Sequence, residues 1–209
     1  QAQPIMLPCP TDLDQPIEPR MNGEGLISVF HLQSHKRKNL AGIAKASTIL
    51  QMQGNEIPLS VIGGGSERDI TACKDLVAKV PSITLAGAMG RDDLRARMGQ
   101  ASGFILPSLR ESFGLVFIEA LFAGLPIIYP AGTAIDGYFD GAPFALKVDA
   151  TDPKALANAM QTLTKNETAM KQALAEWLKS EAAKRLLRPA IAEAFTRGLI
   201  LASGESEVQ

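Results

Sequence analysis

Aromatic side chains are scarce in this sequence. One Trp, two Tyr and eight Phe make up 5% of its 209 residues, so any core built from it is mostly aliphatic. Cysteine is scarcer still. Cys9 and Cys73 are the only two, too few for a disulfide framework, and neither belongs to a Cys-x-x-Cys pair of the kind that holds zinc. Cytoplasm is therefore the default compartment. No apolar run approaches the roughly 20 residues that a bilayer span needs, and the first residues lack the basic-then-apolar order of a signal peptide. An excess of charge of one sign is also missing. The formal net charge of −1 argues against nucleic acid as a partner bound through bulk charge, while leaving room for a local basic cluster to hold a phosphate. His31 and His35 share no carboxylate pattern that suggests a metal. What remains is ordinary for a globular chain: 46% hydrophobic and 21% charged residues, in a length that suits one domain with a short extension. The chain begins with Gln rather than Met, which reads as a processed chain or a piece of a longer one.

Residues 1–25 are rich in proline and read as an extended linker rather than a core element. From Leu26 onward, short apolar runs alternate with helical patterns. LISVF (26–30), PLSVIG (58–63), SITLAG (82–87), GFILP (103–107), LPIIYP (125–130) and FALKV (144–148) read as six strands. Between the first two, Leu40, Ile43, Ala44, Ser47 and Leu50 share one helical face. Ser66 can cap the next helix, whose buried stripe is Ile70, Cys73, Val77 and Val80. Asp92 and Asp93 suit the first turn of a short helix that turns Leu94 and Met98 inward. The apolar run Gly114–Ala123 is too long for a strand and reads as a buried helix. Asp152 and Pro153 form a cap-plus-first-turn pair ahead of Leu156, Ala159, Met160 and Leu163. The tail from 166 is helical to about Leu187, with Trp177 packing on the domain. Pro189 interrupts it, and Ile191, Phe195 and Leu199 form a further stripe before a frayed GESEVQ end.

Strands that are apolar on both faces and separated by helices imply an α/β fold, a Rossmann-like parallel sheet of about six strands with helices on both faces. The expected division is a linker over 1–25, a Rossmann-like domain over 26–165 and a helical tail over 166–209. Ligands of such sheets bind beyond the C-terminal strand ends, here the loops after the first four strands. The loop after the fourth strand reads PSLRESFGLVFIEALFAG. Gly114 lets a ligand approach the backbone and frees amide donors at a helix N-terminus, which suit a phosphate or a sugar oxygen. Glu111 and Glu119 flank that anion site. Carboxylates there repel phosphate and are better suited to accept hydrogen bonds from hydroxyls. A nucleotide sugar has hydroxyls at both ends and a diphosphate between them.

PSLRESFGLVFIEALFAGLPII resembles the signature of the family 4 (group 1) retaining glycosyltransferases of the GT-B fold: Pro-Ser, Glu-x-Phe-Gly-Leu, Glu-Ala and Gly-x-Pro. The resemblance covers roughly residues 5 to 165, including LPCPTDLD, which is similar to the family's interdomain hinge, and RKNL at 37–40. It implies that Glu111 is the catalytic-site carboxylate, in contact with donor hexose hydroxyls. By the same resemblance, Ser112, Phe113, Gly114, Leu115 and Val116 hold sugar and distal phosphate. Glu119 binds ribose, Lys38 the diphosphate, Gly63 and Gly64 pass close to the nucleotide, and Ala88 and Met89 lie beside the base. No metal or other cofactor is expected, since lysine and backbone amides do the neutralising.

The chain departs from the family pattern twice. His31 in VFHL stands where the family has Gly-Arg, and a histidine cannot make arginine's bidentate phosphate contact; Lys36 or Arg37 is the nearby substitute. IDGYFDGAPF (135–144) replaces a Gly-Gly loop followed by glutamate. The implied role is the donor-binding C-terminal half of a hexosyltransferase acting on a glycan or lipid-linked acceptor, and an isolated domain without turnover. Its implied partners are a nucleotide-sugar donor and an N-terminal domain that this sequence lacks. The full-length protein would be cytoplasmic or peripheral at the inner face of the membrane. Self-association through Ile191, Phe195 and Leu199 follows if the tail normally packs on that other domain. The alternatives are a non-catalytic nucleotide-binding or interaction module on the same fold, and another GT-B enzyme such as an epimerase or glycan phosphorylase. Gly63–Gly65 is not the GxGxxG fingerprint, which disfavours a dinucleotide site.

Overall fold

A computed structural model of the chain describes residues 15–133 and 135–203. The hinge-like run LPCPTDLD, Cys9 and the GESEVQ end lie outside the described residues. Six strands form one sheet: β1 (Leu26–Val29), β2 (Leu59–Ile62), β3 (Ile83–Gly87), β4 (Gly103–Ile105), β5 (Ile127–Pro130) and β6 (Ala145–Val148). Every pairing is parallel. The central strands β4 and β5 are buried along their whole length, which is why they read as unbroken apolar runs rather than alternating ones. The edge strands β3 and β6 are partly exposed.

Helices α1 (Leu40–Met52), α2 (Glu67–Val77), α3 (Arg91–Gly99) and α4 (Leu115–Phe122) fill the first four connections, β5 runs to β6 through a loop, and α5 (Pro153–Lys165) follows β6. The expected stripes face inward: Leu40, Ile43, Ala44, Ser47 and Leu50 of α1 are all buried, as are Leu156, Ala159, Met160 and Leu163 of α5. The two helices pack on each other. Caps set their starts. The Ser66 side chain accepts from the Asp69 amide while Asp69 accepts from the Ser66 amide, a reciprocal box at the head of α2. Asp152 accepts from the Lys154 amide at 2.8 Å, with Pro153 in the first turn of α5.

The strand order is β3-β2-β1-β4-β5-β6. The chain winds outward from β1 to β3, then returns to the other side of β1 and winds the opposite way. The reversal lies between β1 and β4, where the loops leaving the two strands diverge and open a crevice at their C-terminal ends.

Residues 15–25 carry no helix or strand, and they are bound to the body of the domain. The Ile17 amide donates to the Phe122 carbonyl at 2.7 Å. Gly124 holds φ at +81°, and a Cβ there would come within 2.8 Å of Pro19 Cα, so only glycine fits beneath this strap. Lys171 is fully buried, and its ammonium donates to Arg20 O (2.5 Å), Ala101 O (2.8 Å) and Glu167 Oε1 (2.8 Å). A buried ammonium is tolerable because all three of its protons find acceptors.

The tail differs from the single helix expected up to Leu187. It breaks at Lys179 and Ser180 into α6 (Glu167–Leu178) and α7 (Glu181–Lys184), because the Ser180 hydroxyl caps a new start by accepting from the Ala183 amide. The helical run is interrupted just ahead of Pro189, between Lys184 and Arg188. Pro189 sits in the first turn of α8 (Arg188–Ser203), where its missing amide costs nothing. Trp177 packs as expected, against Phe144, Phe139 and Phe122 at ring distances of 5.1, 5.7 and 6.3 Å. Ile191 is buried, while Phe195 and Leu199 are 53% and 55% exposed. No helix is long and apolar enough to cross a membrane among the described residues.

Candidate functional site

The crevice between β1 and β4 is spanned by one ion pair. Lys38, in the loop after β1, donates from Nζ to Oε2 of Glu111, in the loop after β4, at 2.5 Å. The two side chains are only 12% and 10% exposed. Both loops are held in place independently of the pair. Asn39 adopts a left-handed φ of 59° and caps α1, accepting from the Gly42 amide at 3.1 Å and donating to the Ala150 carbonyl at 2.7 Å. This fixes the turn that carries Lys38. On the other side the Leu109 amide donates to the Arg37 carbonyl at 2.8 Å. The fully buried Ser108 donates from its hydroxyl to Glu111 Oε2 at 3.3 Å. Glu111 therefore sits among donors, with its charge matched by a cation.

Behind Glu111 the chain turns into α4. Gly114 is the N-cap, with φ at +72°, a conformation that side-chain-bearing residues rarely adopt. The first bond into the helix is from the Phe117 amide to the Gly114 carbonyl. The Leu115 and Val116 amides precede it at the positive end of the helix. Phe113 is exposed, and Gly114 is buried.

Two cavities border this segment, one before the N-terminus of α4 and one along its later turns. One, of about 550 Å³, is lined by Arg37, Leu109, Arg110, Glu111, Ser112, Gly132 and Thr133. The other, of about 380 Å³, is lined by Glu119, Met89, Met98, Leu94, Ala123 and the arginines 91 and 95. Glu111 and Glu119 thus line different cavities, and Met89 lines the same cavity as Glu119. Ala88 is exposed beside Gly64, whose added Cβ would lie 3.3 Å from the Ala88 Cβ.

Other expected residues stand apart from both cavities. His31 is exposed and caps the short helical turn at Leu32–Ser34, its Nδ1 accepting from the Gln33 amide at 3.4 Å. Lys36 is exposed and lines neither cavity, whereas Arg37 lines the one that contains Glu111. Gly63 has a packing reason to lack a side chain: a Cβ there would fall 1.8 Å from the Phe30 carbonyl oxygen. The loops after β1 and β2 are zipped together by the Leu32 amide donating to the Gly64 carbonyl at 2.8 Å.

The loop after β5 belongs to the site and was not among the four loops expected. Gly132 and Thr133 form a wall of the larger cavity. The wall is braced by Asp136, which accepts from the Gly132 amide at 2.8 Å. Lys147 lies 3.1 Å from Asp136 and 2.9 Å from Asp140. The Gly132 amide and then Lys147 hold the Asp136 carboxyl below its ordinary range, and the hydrogen bond to Asp140 together with Asp136 raises Lys147. Burial, helped by Asp140, pushes the Tyr129 phenol up to about 12, so it remains a hydrogen-bond donor to Asp140 (3.2 Å) at any ordinary pH. Arg110, beside Glu111 in the motif, also lines the larger cavity although its residue type carries no signal of its own in the sequence. Among the described residues no three His, Cys, Asp or Glu side chains group as metal ligands.

Chemically, the arrangement offers hydroxyl acceptors at both ends, a cation and helix amides in the middle, and an apolar slot beside Met89. Comparisons with known proteins bear on the fold and the family. The chain is 31% identical over 118 residues to the D-inositol 3-phosphate glycosyltransferase of Corynebacterium jeikeium (strain K411), a stretch that covers 56% of this chain and 26% of that protein. Its fold is similar to sucrose-phosphate synthase from Thermosynechococcus elongatus, with a TM-score of 0.68 and 23% identity over 86% of this chain and 45% of that one. It is also similar to a glycosyltransferase from Rickettsia africae ESF-5, with a TM-score of 0.74 and 13% identity over 90% and 50% of the two chains. The chain therefore spans about half or less of the length of these relatives. The model of the glycosyl transferases group 1 family matches residues 25–166. With that match over most of its length, and a Rossmann-like parallel sheet of the kind found in GT-B glycosyltransferases, the chain belongs to the glycosyl transferases group 1 family.

Proposed function

We propose that this chain is the donor-binding half of a retaining hexosyltransferase. The nucleotide-diphosphate sugar would lie across the N-terminus of α4. The base would rest beside Ala88 and Met89, the ribose on Glu119, the diphosphate against Lys38 and the amides of Phe113, Gly114 and Leu115, and the hexose on Glu111. The observation that supports this reading is that Glu111, just before the N-terminus of α4, and Glu119, in its second turn, line separate cavities. Two hydroxyl-binding carboxylates with an anion site between them match the order of groups along a nucleotide sugar.

Transfer breaks the bond between the anomeric carbon and the diphosphate oxygen, whose electron pair leaves on the diphosphate, and forms a bond from that carbon to the acceptor's hydroxyl oxygen, whose proton passes to the departing diphosphate. Charge growing there is stabilised by groups already in place, Lys38 and the positive end of α4. In the free chain Lys38 is the counter-ion of Glu111. An arriving diphosphate would share that cation, and Glu111 would turn its lone pairs to hexose hydroxyls. The acceptor, a glycan or lipid-linked sugar, would come from the open side of the crevice. A second domain would help to bind it, and the exposed side of α8 is a surface for that domain to meet.

The competing reading is a nucleotide-binding module without catalysis. It is favoured by His31, which spends its ring nitrogen on a cap rather than facing either cavity. A thermal-shift screen across nucleoside diphosphates tests the donor reading. A dose-dependent rise with at least one of them supports it, and no rise with any sinks it.

A further inference from the structure

We propose that Asp136 is a positioning residue for the sugar end of the donor: held by Lys147, it fixes the Gly132–Thr133 wall against which the hexose rests. This deepens the donor reading above and rests on it.

Gly132 and Thr133 line the cavity that contains Glu111, and packing does not hold Gly132 there. Gly132 is exposed, with φ at +70°, and a Cβ added to it would meet nothing within 4 Å. A glycine in open space wanders unless its backbone is tied. The Thr133 hydroxyl donates to the Pro130 carbonyl at 3.2 Å. Two further ties come from Asp136. Its carboxylate accepts from the Gly132 amide at 2.8 Å through Oδ2, and its own amide donates to the Thr133 carbonyl at 2.9 Å. The other carboxylate oxygen, Oδ1, is shut off from solvent and lies 3.1 Å from Lys147 Nζ.

Lys147 is set by the sheet. It stands in β6 opposite Tyr129 of β5. Its ammonium also reaches Asp140 at 2.9 Å, and Asp140 accepts from the Tyr129 hydroxyl at 3.2 Å. Asp136 and Asp140 thus staple the loop after β5 to a pair of neighbouring strand residues. Bonds to ionised groups are shorter and stronger than neutral ones, so a carboxylate with a cation behind it holds a flexible amide where a neutral side chain would let it drift.

The other side of the loop is secured separately. Ile135 is buried and packs over the N-cap of α4, where a Cβ on Gly114 would come within 3.3 Å of the Ile135 Cβ. Removing the Asp136 carboxylate therefore frees the wall without unseating the loop from α4. In the donor reading the hexose lies on Glu111, in the cavity that this wall borders, while the diphosphate lies at the α4 amides and Lys38. The effect of Asp136 thus falls on the sugar. Neither Asp136 nor Lys147 lines a cavity beside α4, so both act through the backbone of the loop.

Calorimetric titrations with UDP, GDP, UDP-glucose and GDP-mannose test this on the chain and on Asp136→Ala, Asp136→Asn and Lys147→Met, with hydrogen exchange at the Gly132 amide followed in each. Asp136→Ala and Lys147→Met are expected to weaken the sugar conjugate by about five- to tenfold and the nucleoside diphosphate by less than about twofold. Both should speed exchange at Gly132. Asp136→Asn keeps an acceptor for that amide and should lose less than Asp136→Ala. A role in loop stability alone would leave the ratio of conjugate to diphosphate affinity as it is. Lys147 is 41% exposed, so Lys147→Met keeps the test available if Asp136→Ala does not fold. The proposal is overturned if the ratio is unchanged in either variant, whether both ligands weaken alike or neither does, or if Asp136→Asn loses as much as Asp136→Ala. If the chain itself binds no nucleotide and no conjugate, the donor reading fails and takes the proposal with it. That outcome is distinct from a donor that binds with a ratio indifferent to Asp136.

Discussion

Lys38 Nζ and Glu111 Oε2 lie 2.5 Å apart across 73 residues of sequence, and their contact bridges the point where the sheet reverses its winding. One partner follows β1 and the other follows β4, so the pair exists only once both halves of the sheet have formed. Removing one partner strands the other's charge in a site where both side chains are nearly buried. Lys38→Met is therefore expected to destabilise the fold by about 1–3 kcal/mol. Adding Glu111→Gln to it should recover much of that loss. Urea unfolding of the two single variants and the double variant checks this. Additive losses would mean that the pair contributes nothing to the fold.

Glu119 is assigned to the ribose. Glu119→Ala should weaken UDP or GDP more than it weakens the 2′-deoxy form, since the side chain's partner is already missing there. A difference of about tenfold in the effect is the expected size for a charge-assisted hydrogen bond. Calorimetry with the ribo and deoxy forms measures it, and equal losses for both would remove Glu119 from the 2′-hydroxyl.

Gly63 and Gly64 separate a packing requirement from a ligand requirement. A Cβ at Gly63 meets the Phe30 carbonyl at 1.8 Å, whereas one at Gly64 meets only the Ala88 methyl at 3.3 Å. Gly63→Ala is expected to cost about 2–4 kcal/mol of stability, and Gly64→Ala under about 1 kcal/mol. Comparison of their unfolding midpoints is sufficient, and equal midpoints would contradict the close approach at Gly63.

The fold was legible where a run of residues carries its own signal. Apolar strands, the Ser66 and Asp152 caps and the stripe of α1 appear where the spacing predicts them. The Glu111–Glu119 motif was legible too, because nine consecutive residues of loop and helix carry both carboxylates. What was not legible depends on contacts between distant segments. The strap at 15–25 reads as linker, because nothing in its prolines announces the Lys171 ammonium that binds it from α6. The loop after β5 reads as a departure from a pattern, and its place in the site comes from Asp136 and Lys147 bracing Gly132. His31 draws attention by its position at a strand end, yet its ring is used locally as a cap. The break of the tail at Ser180 was readable from a capping serine, but the apolar spacing on either side of it masked the signal.

The strap predicts a pH effect. Burial pushes the Glu167 carboxyl up, but the Lys171 hydrogen bond, the Gly23 amide and the Ser102 hydroxyl outweigh it and hold the carboxyl below its ordinary 4.5. A carboxyl with a lowered folded-state value adds stability that is present above its unfolded value and is lost as pH falls through the folded one. Glu167→Gln should therefore lower stability at neutral pH and flatten its fall on the acid side, below about pH 4.5. Unfolding curves collected from neutral to acid pH test this, and an unchanged acid slope would remove Glu167 from the strap's anchor.

Trp177 joins α6 to the loop before β6 through Phe139 and Phe144. Trp177→Ala should cost about 3 kcal/mol and speed amide exchange in the 135–144 loop more than in β4 or β5. Hydrogen exchange that stays uniform across these segments would show that the loop is held by other means.

The most direct measurement is a calorimetric titration of the chain with UDP, GDP and their hexose conjugates, repeated on Lys38→Met. A donor-binding half should take at least one nucleotide sugar. Lys38→Met should weaken both the diphosphate and its sugar conjugate by about tenfold or more, because both place the same charge at α4. Absence of heat with every nucleotide and conjugate, on folded protein, or binding that is indifferent to Lys38, would contradict a donor site at the Lys38–Glu111 crevice.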